Sequence, residues 1–232
     1  MTFAARAAVC AFLLVLFAVS HVSAQNRPVM PQRQPAPADI KVFASQYVTA
    51  FNSKDPRQLL ALQHPQALAC ITPANKDYYD GALAMQMRDS IPANYTVSVM
   101  TPNEGNLKAL ESMGMRWPLK PEQEVHIDYQ QGEDAGGVDI WLVKENGRWF
   151  GDFPCATDAT IKDYRDNAVK NKELLAKYKA IADGIKDPLR TELVGLLRAH
   201  ETGRAIDRYR DASGQDGRTS MLVMNALKDE MR

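Results

Sequence analysis

Residues 138–153 read VDIWLVKENGRWFGDF, and this stretch decides the fold because it predicts a β-hairpin. The runs 138–144 and 148–153 flank an Asn-Gly pair, the dipeptide that most strongly favours a two-residue hairpin turn. Upstream, residues 95–100 and 124–130 alternate apolar and polar side chains, which is the spacing of strands with one buried face. Together the four runs predict an antiparallel meander.

Three helical segments precede the meander. Apolar residues recur at helical spacing over residues 40–51, and Asp39 just before them is a candidate N-cap. Asp55-Pro56 predicts the start of a second, short helix that ends at His64-Pro65, and residues 77–89 predict a third. Helices followed by antiparallel strands indicate an α+β domain.

The domain boundaries follow from the same patterns. The α+β domain is predicted over residues 39–157, and a connecting amphipathic helix over 158–186, where apolar residues recur at close to heptad spacing. Residues 187–232 predict a C-terminal helical hairpin, in which Gly214 and Gly217 separate two helices. The predicted fold class is therefore α+β with an all-α C-terminal extension.

The N-terminus has the order of a secretory signal peptide over residues 1–24. Arg6 precedes an apolar run at 7–19, and Val22-Ser23-Ala24 supplies the small residues of a cleavage site. This apolar run is shorter than the roughly 20 residues of a membrane span, so no stable span is expected after cleavage. The proline-rich segment 25–38 predicts an extended linker, and the protein is predicted to be periplasmic or secreted.

The cysteines indicate one disulfide. Signal cleavage would leave Cys70 and Cys155 as the cysteines of the chain. In an oxidising compartment such a pair usually forms a disulfide, which we therefore predict. The alternative is two separate buried thiols, because cysteine also packs well as a small apolar residue.

Composition excludes several classes of function. The chain has 232 residues with 28 basic and 28 acidic side chains, whereas nucleic-acid binding requires a basic surplus. Three widely separated cysteines exclude a zinc cluster and a disulfide-dense scaffold. The sequence contains no glycine-rich phosphate loop, no paired His or Cys metal spacing and no nucleophile elbow. We therefore expect no metal and no cofactor.

Several segments carry a family resemblance. They are the first helix ending in FNSKD, the helix DPRQLLALQHPQ, Asp80-Gly81 in the third helix, and the Trp, apolar-Lys, Asn-Gly, Arg-Trp order of the closing hairpin. In this order they resemble the nuclear transport factor 2-like (cystatin-cone) superfamily, in particular its exported bacterial members, over about half the chain. The resemblance implies a strongly curved sheet wrapped around the N-terminal helices, with a conical pocket for a small, largely apolar ligand.

The resemblance leaves the function open. The superfamily includes isomerases, dehydratases and epoxide hydrolases as well as non-catalytic binding modules, and fold alone does not fix function. Residues 196–228 resemble, more weakly, the helical hairpin of the bacterial ribosomal stalk protein's C-terminal domain, through Gly203, Tyr209, Gly214 and Val223 among other positions. That second likeness implies only a small helical interaction module.

A polar strand face supplies the first candidate for acid–base catalysis. His126 and Asp128 share one face and Asp139 lies on the neighbouring strand, so they could act together if that face lined the cone. The alternation instead places the apolar residues on the core face, which would leave His126 facing solvent. Asp80 is a second candidate base, unless it caps the third helix.

Aromatic residues are the candidates for the pocket lining. Tyr47 and Tyr79 could place their hydroxyls at a pocket rim, and Trp141 and Trp149 could stack on a ligand. Each of these rings could equally fill the core or an interface.

These observations favour an exported, non-catalytic binding or protein-interaction module of the cell envelope with a small apolar pocket. The C-terminal helices would then offer an apolar face to a protein partner. The alternative is a small-molecule isomerase, dehydratase or hydrolase that uses an acid–base group in the cone. A third interpretation is a homodimer formed through the outer face of the sheet.

The disulfide prediction has a direct chemical test. We expect an alkylating reagent to label the unfolded mature protein only after reduction, because a disulfide protects both sulfur atoms. Mass spectrometry counts the labels, and labelling of Cys70 and Cys155 without reduction would contradict the bridge.

Overall fold

A computed structural model describes residues 32–231, and the structural statements below concern that part of the chain. The predicted signal peptide and the first half of the predicted linker, residues 25–31, lie outside the described residues. The helices are α1 (Ala38–Asn52), α2 (Pro56–Leu60), α3 (Pro65–Leu68), α4 (Lys76–Gln86), α5 (Glu104–Ser112), α6 (Asp158–Asp183), α7 (Leu189–Arg198), α8 (Thr202–Ser213) and α9 (Gly217–Glu230). The strands are β1 (Gln34–Pro35), β2 (Thr96–Met100), β3 (Met115–Arg116), β4 (Gln123–Gln131), β5 (Asp134–Glu145), β6 (Arg148–Asp152) and β7 (Cys155–Ala156).

Five strands form an antiparallel sheet in the order β1-β2-β4-β5-β6, and β3 pairs separately with β7. The hairpin predicted from the closing segment is confirmed as β5–β6. Its turn residues Asn146 and Gly147 have φ of 50° and 79°, a backbone conformation that Asn and Gly adopt most readily. The predicted α+β class, with helices after the sheet, is also confirmed.

The core of the α+β part lies between α1 and one face of the sheet. Val125, Ile127, Ile140 and Leu142 point from β4 and β5 towards α1, and each is at most 5% exposed. They pack there with the apolar stripe of α1, which includes Ile40, Phe43, Ala44, Tyr47, Val48 and Phe51. Alternation along β4 therefore identified the core face correctly.

Of the two predicted helix N-caps, one is wrong and one is confirmed. Asp39 is not an N-cap, because α1 begins one residue earlier, at Ala38. Its carboxylate accepts hydrogen bonds from Trp149 Nε1 at 2.8 Å and Lys144 Nζ at 3.1 Å, which fastens the β5–β6 hairpin to the start of α1. Asp55 does cap α2 as predicted, since its side chain accepts from the backbone N–H of Arg57.

The N-terminal edge of the fold lies inside the segment that the sequence predicts to be a linker. Gln34–Pro35 form β1, which pairs with β2 at the edge of the sheet. Ala36, which follows, is only 5% exposed and belongs to the core. The last residues of the proline-rich segment are therefore part of the sheet, as proline permits in an edge strand.

The C-terminal helices have a core of their own. Leu193, Leu197, Val223, Met224 and Leu227 are nearly inaccessible and pack with the end of α6. The apolar face that the sequence offered to a protein partner is thus covered by α6–α9 themselves. Residues 187–232, predicted as a hairpin of two helices, contain the three helices α7, α8 and α9. Gly214 ends α8 in the left-handed conformation at φ 68°.

Two attachments join these helices to the sheet. The first is α6, whose ends are buried at Ile161 and Ala182 while Leu175 in its middle is 61% exposed. The second is the turn between β4 and β5, where the backbone N–H groups of Glu133 and Asp134 both donate to the carbonyl of His200.

Asp134 also completes helix α8 from the sheet. The side chain of Glu201, the N-cap residue of α8, accepts no hydrogen bond from the backbone of the helix. The Asp134 carboxylate instead accepts from the backbone N–H of Thr202, at 3.0 Å, and from its hydroxyl. A carboxylate here satisfies a free helix donor and interacts favourably with the helix dipole.

A disulfide joins Cys70 to Cys155 across 85 positions of sequence, with the Cα atoms 5.6 Å apart. The predicted pairing is therefore present. Along the described part of the chain, no helix combines the length and the apolar character that crossing a membrane requires. The disulfide is compatible with an extracellular location.

The contact at the β4–β5 turn generates a stability prediction. Gly132 has φ 56°, and a Cβ atom added there would collide with the carbonyl oxygen of Ala199. We expect Gly132→Ala to lower the free energy of unfolding by about 1–3 kcal/mol, through backbone strain and loss of the docked turn. Urea denaturation followed by circular dichroism measures the change.

Gly195 provides the matched control. It lies on the exposed side of α7, and nothing comes within 4 Å of a Cβ built there. Gly195→Ala should raise the free energy of unfolding by about 0.5–1 kcal/mol, because alanine loses less backbone entropy in a helix. If Gly132→Ala behaves like Gly195→Ala, the proposed strain at the turn is wrong.

Candidate functional site

The face of the sheet turned away from α1 carries two rows of polar and aromatic side chains, which we call the outer face. In the first row Ser98 of β2 lies opposite His126 of β4, which lies opposite Asp139 of β5. In the second row Glu124 lies opposite Trp141, which in turn lies opposite Asp152 of β6. Strand register therefore brings together side chains from four strands.

His126 and Asp139 form a close pair. The His126 Nδ1 atom lies 2.5 Å from Asp139 Oδ1, so the ring donates from Nδ1 to the carboxylate. This bond fixes the tautomer and leaves Nε2 with its lone pair. The His126 side chain is 4% exposed, while that of Asp139 is 51% exposed and opens to solvent.

Arg33 and Asp128 lie beside this pair. A guanidinium nitrogen of Arg33 is 3.3 Å from His126 Nδ1, and another donates to Asp128 at 2.6 Å. Arg33 immediately precedes β1, so the edge strand carries this positive charge onto the outer face. Asp128 is thus part of an ion pair beside the histidine.

The other ring nitrogen of His126, Nε2, lies on the side of Glu124. It lies 3.7 Å from Glu124 Oε1, beyond hydrogen-bond distance. His126 Nε2 and Glu124 Oε2 are both buried without a hydrogen-bond partner. Burial raises the pKa of Glu124, and the nearby Asp139 adds to the shift, whereas His126 and the backbone N–H of Asn103 oppose it.

Unpartnered buried atoms are concentrated on this face. In the part of the chain that the structure describes, seven residues have such side-chain atoms, and six of them lie here: Ser98, Trp117, Glu124, His126, Trp141 and Asp152. The seventh is Ser220 in α9. Buried polar groups in folded proteins are nearly always bonded, and exceptions often mark a site for water, an ion or a ligand.

A second tryptophan, Trp117, packs against Trp141 of the second row. Trp117, on the segment between β3 and β4, meets Trp141 edge to face with 5.1 Å between ring centroids. The indole N–H groups of both rings are buried and without an acceptor. The outer face thus offers two free donors, a free imidazole nitrogen and free carboxylate oxygens within one covered patch.

Asp152 is the most strongly perturbed acid of this patch. It is 2% exposed, and its carboxylate oxygens have no hydrogen-bond partner apart from the backbone N–H of Phe153. Burial raises its pKa to about 7, while a backbone hydrogen bond from Phe153 acts in the opposite direction. Its charge therefore changes near neutral pH.

The expectation that His126 faces solvent is wrong. The alternation placed it correctly on the face opposite the core, but that face is itself covered near His126, which is 3% exposed. The sequence analysis identified His126 and Asp139 but missed Ser98, Glu124, Trp117 and Asp152. Glu124 could have been found from its spacing of two from His126, whereas the cover by Trp117 had no sequence signal.

The other predicted site residues lie elsewhere. Asp80 is the fifth residue of α4 and neither caps that helix nor enters a pocket, because its exposed carboxylate pairs with Lys76 Nζ at 2.6 Å. Tyr47 lies in the core, accepts a hydrogen bond from Gln86 and has its pKa raised by burial. Tyr79 packs on Phe153 in a separate cluster.

The four predicted pocket residues therefore do not share one cavity. Trp149 bonds to Asp39 beside α1, and only Trp141 of the four lies on the outer face. Two shallow depressions, of about 160 and 390 Å³, are lined by none of the four and not by His126. The inner face of the sheet is filled by the side chains of α1.

Comparisons with known proteins add no assignment. No protein-family model matches the chain, and no match was found among curated proteins or solved structures.

Asp152 generates a pH prediction. Its folded-state pKa of about 7 lies above the ordinary aspartic acid value of 3.8, so the folded state binds the extra proton between these two pH values. Stability due to this group is therefore present at low pH and is lost as pH rises towards 7. We expect Asp152→Asn to be more stable than wild type at pH 8, by roughly 1–4 kcal/mol, in urea denaturation.

The control for this prediction is Asp80→Asn, an exposed acid outside the patch. It should leave the pH dependence of wild type unchanged. Glu124 shifts in the same direction as Asp152, so part of the pH dependence should persist in Asp152→Asn. An Asp152→Asn variant that parallels wild type from pH 4 to 8 would contradict the assignment.

Proposed function

We propose that this chain is an exported binding protein whose ligand is small and polar and occupies the outer face of the sheet around His126. The observation that carries the proposal is the concentration of unpartnered buried polar atoms there, six of the seven residues of this kind in the described part of the chain. Left unmatched, such atoms each cost about 1–3 kcal/mol. A ligand that matches them recovers this cost and gains specificity.

We keep the cone-shaped fold expected from the family resemblance, but we place the ligand on the outer face of the sheet. The packing of the sheet's inner face against α1 supports a cone of the nuclear transport factor 2-like type. The side chains of α1 occupy the interior, so we place the ligand outside the cone, under Trp117 and Trp141. The polarity of the free groups there favours a polar ligand over the apolar one expected from the resemblance.

Export is part of the proposal. The disulfide between Cys70 and Cys155 supports an oxidising compartment, either the periplasm or the exterior. The signal peptide over residues 1–24 and its cleavage stay predictions. A protein partner at the C-terminal helices and a homodimer through the sheet also stay predictions.

A second candidate function is acid–base catalysis on a small molecule. The observation that favours it is the His126–Asp139 pair, in which a carboxylate orients the imidazole and leaves Nε2 free to take a proton. His126→Ala should leave the circular dichroism spectrum unchanged. Complete loss of a measured turnover in that variant would favour the enzyme over the binding protein.

The binding proposal is tested with purified wild-type chain by two methods. Ligand-observed NMR screens a fixed panel of small carboxylates, amines and polyols, and native mass spectrometry detects any retained adduct. We expect saturable binding of a panel member or a discrete adduct in wild type. Glu124→Gln, which keeps the shape of the side chain, should weaken that binding at least tenfold because a buried partner is lost.

Asp80→Asn serves as the control variant, since Asp80 is a surface acid paired with Lys76. It should bind as wild type does. Wild-type chain that carries no adduct, a metal ion included, and binds no panel member would overturn the proposal. A ligand held equally well by Glu124→Gln would also overturn it.

A further inference from the structure

Three side chains from the two rows of the outer face have the composition and spacing of a metal site. Glu124, His126 and Asp139 each offer a ligand atom, and these atoms lie within 4.8 Å of one another. Glu124 and His126 are buried, and each has an atom without a partner that is directed into the patch. The site therefore contains a buried imidazole nitrogen and a buried carboxylate oxygen, and neither atom has a hydrogen-bond partner.

We infer that the outer face binds a divalent transition-metal ion of the zinc class, held by His126 Nε2 and the Glu124 carboxylate, with Asp139 orienting the histidine. This inference rests on the proposed function and names the chemical class of its ligand. Asp139 takes the role of positioning residue because its carboxylate accepts from Nδ1. Metal-binding histidines almost always donate their other ring N–H in this way.

The distance between the two ligand atoms fits such an ion. Nitrogen and oxygen ligands bind zinc at about 2.0–2.2 Å, so two of them on a tetrahedral ion lie roughly 3.4 Å apart. His126 Nε2 and Glu124 Oε1 are 3.7 Å apart. A shift of a few tenths of an ångström therefore places both atoms in the first coordination shell.

Charge favours the same occupant. Glu124 is nearly fully buried, and an unpaired buried carboxylate is strongly disfavoured, whereas a bound dication neutralises it. The positive charge of Arg33 is on the Nδ1 side of the ring and is paired with Asp128, so it leaves the Nε2 side open. Ser98, next in the row, has a free hydroxyl that could bond to water on the ion.

The chemical types of the two protein ligands favour some metal ions over others. An imidazole with a carboxylate suits zinc, copper(II) or nickel better than magnesium or calcium, which prefer oxygen ligands alone. No thiol lies in the set, and the cysteines of the described part form a disulfide, which disfavours soft copper(I). Two protein ligands leave coordination positions for water or an exchangeable small molecule.

The test is isothermal titration of metal-free wild-type chain with zinc chloride. We expect one ion per chain. Binding should weaken by more than 100-fold in Glu124→Gln and in His126→Gln, and by about 10–100-fold in Asp139→Asn, as typical for a residue that orients a ligand. Cobalt(II) absorption gives a second readout, a spectrum of nitrogen and oxygen ligands without a thiolate band.

His64→Gln is the matched control because His64 is also buried beside a carboxylate. Its Nε2 lies 3.4 Å from Glu145, and its Nδ1 accepts from the backbone N–H of Gln66, so no atom of the ring is unpartnered. This variant should bind zinc as wild type does. Circular dichroism confirms that each variant is folded before its titration is compared.

The outcomes separate this inference from the proposed function. No zinc binding by wild type, or an equal loss in His64→Gln, overturns the metal site. If zinc fails while a member of the organic panel binds and depends on Glu124, the proposed function stands and only the metal inference falls. If neither zinc nor any panel member binds, both fall.

Discussion

The packing of α1 against one face of the sheet is the constraint on which the rest of the structure depends. Val125 and Ile127 are completely buried in that contact, and this burial fixes the register of β4 against its neighbours. A slip of one residue would move both of them to the other face. Because strand side chains alternate, the same constraint places Glu124 and His126 on the outer face, in line with Asp139 and Trp141.

The sequence predicts those parts of the fold that depend on local patterns. Alternation located β2 and β4, and the two runs that flank the Asn-Gly pair located the β5–β6 hairpin and its turn. The cap Asp55 followed from the residues beside it. Each of these features depends on residues close together in the chain, so their signals are visible without knowledge of the tertiary structure.

Features that depend on distant residues could not be predicted in this way. The role of Asp39 comes from Trp149, more than a hundred residues away, and the cap of α8 comes from Asp134 in the sheet. The sequence shows no metal-ligand spacing for the same reason, because Glu124, His126 and Asp139 come from two strands and match no contiguous motif. The buried outer face was missed because its cover, Trp117, lies in a segment without periodicity.

Helix α6 has a consequence for how the C-terminal helices stay in place. Its 26 residues give it a length of roughly 39 Å, with one end in the cluster around Ile161 and the other in the C-terminal core. Helix α6 links the two parts of the chain covalently and keeps α8 close to the β4–β5 turn. The contact between α8 and this turn therefore forms within one chain, at a high effective concentration of the two partners. A few hydrogen bonds around Asp134 can therefore hold the two cores together. The same bonds could not join the two cores if they were separate chains.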